Sequence, residues 1–188
     1  MTTTRTATST WTIDPAHSLA EFAVKHMMVS TFKGHFRSLE GTVHLDEENP
    51  AASSVTASVD VASVDTQTPD RDAHLRSDDF FNAEKYPKMT FRSTRVERVD
   101  EDHWKVSGEL TIRDVTRTVV LDTEYEGRVV DPWGSERIGF TARTELSRKE
   151  FGVRWNTLIE SGGVVVGDRV RVELHIEIVR QQSQGDER

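Results

Sequence analysis

Asp14, His17 and Ser18 fall within five residues of one another and carry the three side-chain types of a hydrolytic triad. Asp14-Pro15-Ala16-His17 reads as a turn leading into a strand, and no GxSxG elbow exists to expose a nucleophile. These residues therefore point to a hydrogen-bonded turn more than to catalysis. The densest polar cluster is Arg71, Asp72 and His74, followed by Arg76, Asp78 and Asp79. Asp72 and His74 would make an acid/base pair if both faced a pocket. Structurally, Arg71 and Asp72 would instead tie a helical turn to the body of the fold through charge-assisted bonds. From such a rim, Arg71 or His74 would also meet the polar head of a ligand. The seven histidines, at 17, 26, 35, 44, 74, 103 and 175, show no HxH or HExxH spacing, so no metal site is expected. No glycine-rich phosphate loop occurs, because Gly162-Gly163 and Gly167 lack a following lysine, and no cofactor is expected.

Composition narrows the classes further. Lys and Arg number 24 against 32 Asp and Glu, a formal charge of −8 over 188 residues. That balance gives no electrostatic footprint for nucleic acid and no attraction to an anionic membrane surface. Trp11, Trp104, Trp133 and Trp155 read accordingly as packing or rim residues, not as a platform for bases. The absence of cysteine removes disulfides, thiol nucleophiles and thiolate metal sites. No run approaches the roughly 18 apolar residues of a membrane-spanning helix. The opening MTTTRTATST lacks the apolar stretch of a secretory signal, which places the protein in the cytoplasm as an expectation. Residues 1–9 and 181–188 read as tails, leaving 10–180 as one domain.

The elements that must position these residues alternate with period two. Ala20, Phe22, Val24 and His26 share one face, as do Trp104, Val106, Gly108, Leu110 and Ile112. The same rule groups Val119, Leu121, Thr123 and Tyr125, then Ile138, Phe140, Ala142, Thr144 and Leu146. Val170, Val172, Leu174, Ile176 and Ile178 complete the pattern. Strands are predicted near 18–26, 32–45, 54–65, 88–99, 103–113, 116–129, 136–147 and 168–180. In 32–45 the phase slips, which predicts one long strand bent at Gly34 and Gly41. Pro69 and Ser77 open one or two short helical turns within 69–84, and Phe151–Gly167 reads as an irregular loop. Eight amphipathic strands with short connections predict an all-β antiparallel barrel or sandwich, and closure is favoured because it removes exposed edges.

An eight-stranded barrel is either filled by its own side chains or holds one ligand. Inward Ala20, Gly34, Ala57, Ser93, Gly108 and Ala142 alternate with Phe22, Phe36, Phe91 and Phe140. The small residues would leave an apolar slot, or they let the strands bend while aromatics fill the space; spacing alone decides neither. A slot would take hydrocarbon. Burial contributes about 0.8 kcal/mol per methylene, so a prenyl unit would contribute on the order of 3–4 kcal/mol before ordering costs. Wall candidates are Phe22, Val24, Phe36, Phe91, Leu110, Phe140 and Leu146, with Met27 and Phe81 near the mouth and Arg71 or His74 beside a head group.

The run Trp11-Thr-Ile-Asp14-Pro15-Ala16-His17-Ser18, with His26-Met27, Gly34-His-Phe36 and Gly41, resembles the opening of the YceI-like proteins. The resemblance continues through Arg71-Asp72-Ala-His74-Leu75, Phe80-Phe81, Tyr86-Pro87 and Gly108-Glu-Leu110-Thr111-Ile112. It ends with Gly139-Phe140, Arg148, Phe151-Gly152 and Val166-Gly167-Asp168, so it spans Thr10 to Arg180. It implies a lipocalin-like barrel that binds a long-chain isoprenoid or similar amphiphilic lipid, an isoprenoid quinone included, for carriage, storage or sequestration. No catalytic residues are implied; the alternative is a lipid-modifying enzyme using His74 with Asp72, or His17, as acid/base. A homodimer is plausible by resemblance only. Asp114 stands where the family commonly has glycine, and aspartate tolerates a left-handed turn.

Overall fold

The computed structural model describes residues 8–157 and 165–182. Eleven strands occur in chain order: β1 Thr8–Ile13, β2 Leu19–His26, β3 Ser30–Phe36, β4 Leu39–Asp46, β5 Ser54–Asp60 and β6 Val64–Asp65. They continue as β7 Lys88–Arg98, β8 His103–Ile112, β9 Val115–Val130, β10 Glu136–Ser147 and β11 Val166–Arg180. One α-helix, α1, spans Pro69–Arg76.

Every pairing is antiparallel, and the contact of β1 with β11 closes the ring. The first three pairs of strands are single staves broken by bends. β2 pairs β3 while β1 pairs β4, and β3 pairs β6 while β4 pairs β5. Counted as staves, β1/β2, β3/β4, β5/β6 and the five strands β7 to β11 make a closed eight-stranded, up-and-down, lipocalin-like barrel. Closure leaves no long unpaired edge.

The structure corrects four expectations. The 32–45 segment is two strands, interrupted at Arg37-Ser38. Gly34 and Gly41 do not make that bend; they permit close approach. A Cβ on Gly34 would lie 2.5 Å from the Phe22 ring, and one on Gly41 would lie 2.3 Å from the Thr56 carbonyl. The Thr8–Ile13 strand lacks a clear alternation and begins inside the expected tail, yet it carries Trp11, which is 0 % exposed. At the β8–β9 turn the left-handed residue is Arg113 (φ 54°), not Asp114. Its guanidinium donates to the Asp78 and Phe80 carbonyls, both at 3.0 Å, which holds it in that conformation. The expected loop 151–167 lies partly outside the described residues; its flanks are a short helical turn at Arg148–Phe151 and the start of β11.

α1 lies over the end of the barrel where, among the described residues, β6 has no partner on its far side. Leu75, Phe80, Phe151 and Val153 are buried there, while Trp11, Ile13, Leu39, Ile138 and Ile178 form a second core toward the opposite end. The space between these two cores holds the site.

Candidate functional site

Between the cores lies a chamber of about 560 Å³ whose walls are almost wholly apolar. Cross-strand register builds it. Phe140 pairs with Ile176 and Tyr125, Ala142 with Leu174 and Thr123, and Leu174 in turn with Ala20. Residues directly opposite in an antiparallel pair share a face, so these rows all point inward. Small Ala20 and Ala142 flank Leu174, which leaves room where three large side chains would have met. Of the two readings of the small/aromatic alternation, the structure has the open one at Ala20 and Ala142 and the filled one at Gly34 and Gly108, where the Phe22 and Phe91 rings lie 2.5 Å from where a Cβ would stand.

Phe22, Val24, Phe36, Phe81, Phe91, Leu110, Phe140 and Leu146 all line this chamber. Met27, Arg71 and His74 do not. Met27 and Met28 occupy successive left-handed positions (φ 48° and 63°) in the β2–β3 turn and point outward, 41 % and 66 % exposed. Phe81 packs edge-on against Phe36 at 5.7 Å and against the core under α1. Arg71 is an anchor: its Nε donates to Thr66 Oγ1 at 2.7 Å, a terminal nitrogen donates to the Thr66 carbonyl at 2.8 Å, and its guanidinium sits 4.8 Å over the Phe32 ring.

The acid/base candidates are dispersed. Asp72 is buried and accepts from the Thr66 amide (2.8 Å) and hydroxyl (2.6 Å). His74 shares a 2.8 Å hydrogen bond with Asp79 and packs edge-on against Phe80 and Trp155. The two residues are thus bonded to different partners. Ser18 Oγ accepts from the Glu177 amide at 3.1 Å and makes no bond to His17, so it bridges strands and completes no triad. Asp14 accepts from the Ala16 amide, from His17 Nδ1 (2.8 Å) and from Arg137 (2.8 Å).

Asp14, His17 and Glu177 converge closely enough to suggest a cation site. Arg137 already supplies the cation, donating to Asp14 and Glu177 at 2.8 and 2.7 Å and to Asp131 at 2.7 Å. Partial burial raises the Asp14 pKa, but the bonds from His17 and Arg137 outweigh it and hold the carboxyl below its usual range. The Asp14 hydrogen bond in turn raises His17. A raised histidine adds stability that is present below its ordinary midpoint and fades as pH climbs through the folded one. Asp14→Asn should therefore bring the His17 titration, followed by imidazole NMR shifts, down toward about 6.5. An unmoved midpoint would contradict the pairing.

Two arginines reach the chamber that alternation did not place. Arg148 is 7 % exposed, and burial lowers its pKa. It donates to four carbonyls: Gly167 (2.7 Å), Val153 (2.9 Å), Trp155 (2.9 Å) and Val166 (3.1 Å). Arg128 faces inward because the β9–β10 register shifts next to Gly127 (φ 139°), after which Arg128 pairs with buried Ile138. A glycine inside a long strand was the available signal.

A closed antiparallel barrel around an apolar chamber belongs to the lipocalin-like class of lumen-bearing barrels. Within it, the chain belongs to the YceI-like family: the YceI-like domain model matches residues 11–178. Protein YceI of Escherichia coli O157:H7 is 41 % identical over 138 residues, 73 % of this chain and 72 % of that protein. The crystal structure of the Campylobacter jejuni YceI protein is 31 % identical with a TM-score of 0.72, covering 84 % of this chain and 90 % of that one. A polyisoprenoid binding domain from Saccharophagus degradans shares the fold at a TM-score of 0.67 and 16 % identity, over 91 % and 98 % of the two chains. Among the described residues no helix is long and apolar enough to cross a membrane.

Proposed function

We propose that this protein binds a long-chain isoprenoid lipid, such as a prenylated quinone, within the barrel and carries, stores or sequesters it. The observation that carries the reading is the apolar chamber inside the barrel, whose volume falls within the roughly 300–1,000 Å³ of ligand sites. A hydrocarbon tail needs no ionic clamp there, since each buried methylene contributes about 0.8 kcal/mol. The name of the Saccharophagus degradans neighbour agrees with this ligand class. Binding is favoured over lipid modification because Asp14, His17, Asp72 and His74 each serve in a turn or a helix anchor away from the chamber.

Titration with prenylated quinones of graded tail length tests the reading. Uptake is expected to saturate at one lipid per chain and to tighten with tail length until the chamber is full. Phe140→Trp enlarges a wall side chain and should shift the preferred tail to a shorter one. An unchanged length preference would reject Phe140 as wall, and absence of saturable uptake by the unaltered protein would reject the function.

A further inference from the structure

The chamber is not the same at its two ends. Toward α1 its lining is apolar, with Leu75, Phe80, Phe151 and Val153, and Arg113 straps the 78–80 segment across the adjoining turn. Toward the opposite end, past Ile13, Leu39, Ile138 and Ile178, the lining changes to Asp46, Glu47, Ser53, Glu101 and Arg128, contributed by the end of β4 and the loop after it, the β7–β8 turn and β9. Among the described residues, polar groups join an otherwise greasy wall in such number only here.

Arg128 crosses this end. Its guanidinium lies 5.5 Å over the Trp11 ring and pairs with Glu136 on β10 and with Glu47 beyond β4. In the ring of staves, β4 and β9 are separated by three strands in either direction: β5, β7 and β8 one way, β1, β11 and β10 the other. The Arg128–Glu47 pair therefore spans a diameter. Arg180 covers the same indole at 5.9 Å and pairs with Glu136 at 3.0 Å, so two guanidiniums cap buried Trp11 at this end.

Resting on the lumen reading above, we propose that this end is the loading mouth and that the Arg128–Glu47 bridge is its latch. The mouth takes lipids with an uncharged, hydrogen-bonding head in preference to phosphorylated ones. The charges decide the head. Four carboxylates, Asp46, Glu47, Glu101 and Glu136, lie at this end with two guanidiniums; Glu47 and Glu136 already pair both guanidiniums, and Asp46 accepts from the Glu48 and Asn49 amides. A phosphate would have to displace Glu47 from Arg128 and then sit among like charges in a partly desolvated opening. A hydroxyl or carbonyl needs only one shared hydrogen bond. The tail then points toward α1.

Release of tritiated geranylgeraniol to excess phosphatidylcholine vesicles tests the latch. Arg128→Gln and Glu47→Gln should each speed release about tenfold, the scale of losing one close charge pair. Arg113→Gln, at the α1 end, should leave the rate unchanged. Faster release in Arg113→Gln alone, or in none of the three, overturns the assignment. Geranylgeranyl phosphate should bind at least about tenfold more weakly than the alcohol at low salt, and the gap should narrow as salt screens the rim. Equal or tighter binding of the phosphate overturns the head preference. Amide exchange in residues 47–53 reads the latch without any lipid: it should quicken in both mouth variants and not in Arg113→Gln. Failure of the unaltered protein to take up either probe would overturn the lumen reading, and exchange unchanged in the mouth variants would overturn the latch on its own.

Discussion

Ala142→Trp should abolish uptake of a long prenyl chain, a loss of more than tenfold in affinity or about 1.4 kcal/mol. Ala142 is 3 % exposed on the inner face of β10, between Thr123 and Leu174 in neighbouring strands. An indole there has only the chamber to enter, so it takes the place of the guest. Overpacking should also lower stability by about 1–3 kcal/mol, less if the ring settles into the void. Val120→Trp is the matched control, because Val120 lies on the outer face, 43 % exposed. Isothermal titration with one prenylated quinone checks both variants. Equal uptake by Ala142→Trp and the unaltered chain would contradict a lumen site.

The second large effect concerns stability. Arg148→Met should destabilise the fold by about 3–5 kcal/mol in urea unfolding, because it strands buried carbonyls that now share one guanidinium. Those bonds connect the turn after β10 to the first residues of β11 and hold Phe151 and Val153 at the α1 end. Arg148→Lys should recover only part of the loss, since an ammonium lacks the planar fork that reaches four acceptors at once. A change below about 1 kcal/mol in Arg148→Met would show that the segment is held by other means.

Much of the wall was legible in the sequence because a strand with one buried face must alternate. The runs Val119–Tyr125, Ile138–Leu146 and Val170–Ile178 put their apolar residues into the chamber just as their parity predicts. Parity fails at breaks. Arg128 changes face across the irregularity at Gly127, signalled only by a glycine inside a long strand, and Met27 is turned outward by two left-handed residues that nothing in the sequence announces. Trp11 escaped because its strand has polar residues on both sides of it, although its own side chain is fully buried. Arg71 and His74 sit on a short helix whose inward residues are Asp72 and Leu75, and a polar helix gives no periodicity by which to orient them. Whether the chamber was open or filled depended on three-dimensional fit between rows, which spacing along one strand does not encode.

Native mass spectrometry of the protein, purified gently from cells that make isoprenoids, bears most directly on the lumen. The spectrum should show the chain with one added mass, released as a prenylated lipid on organic extraction and missing from Ala142→Trp but present in Val120→Trp. A bare chain throughout, or an adduct that survives unchanged in Ala142→Trp, would contradict a guest held inside the barrel.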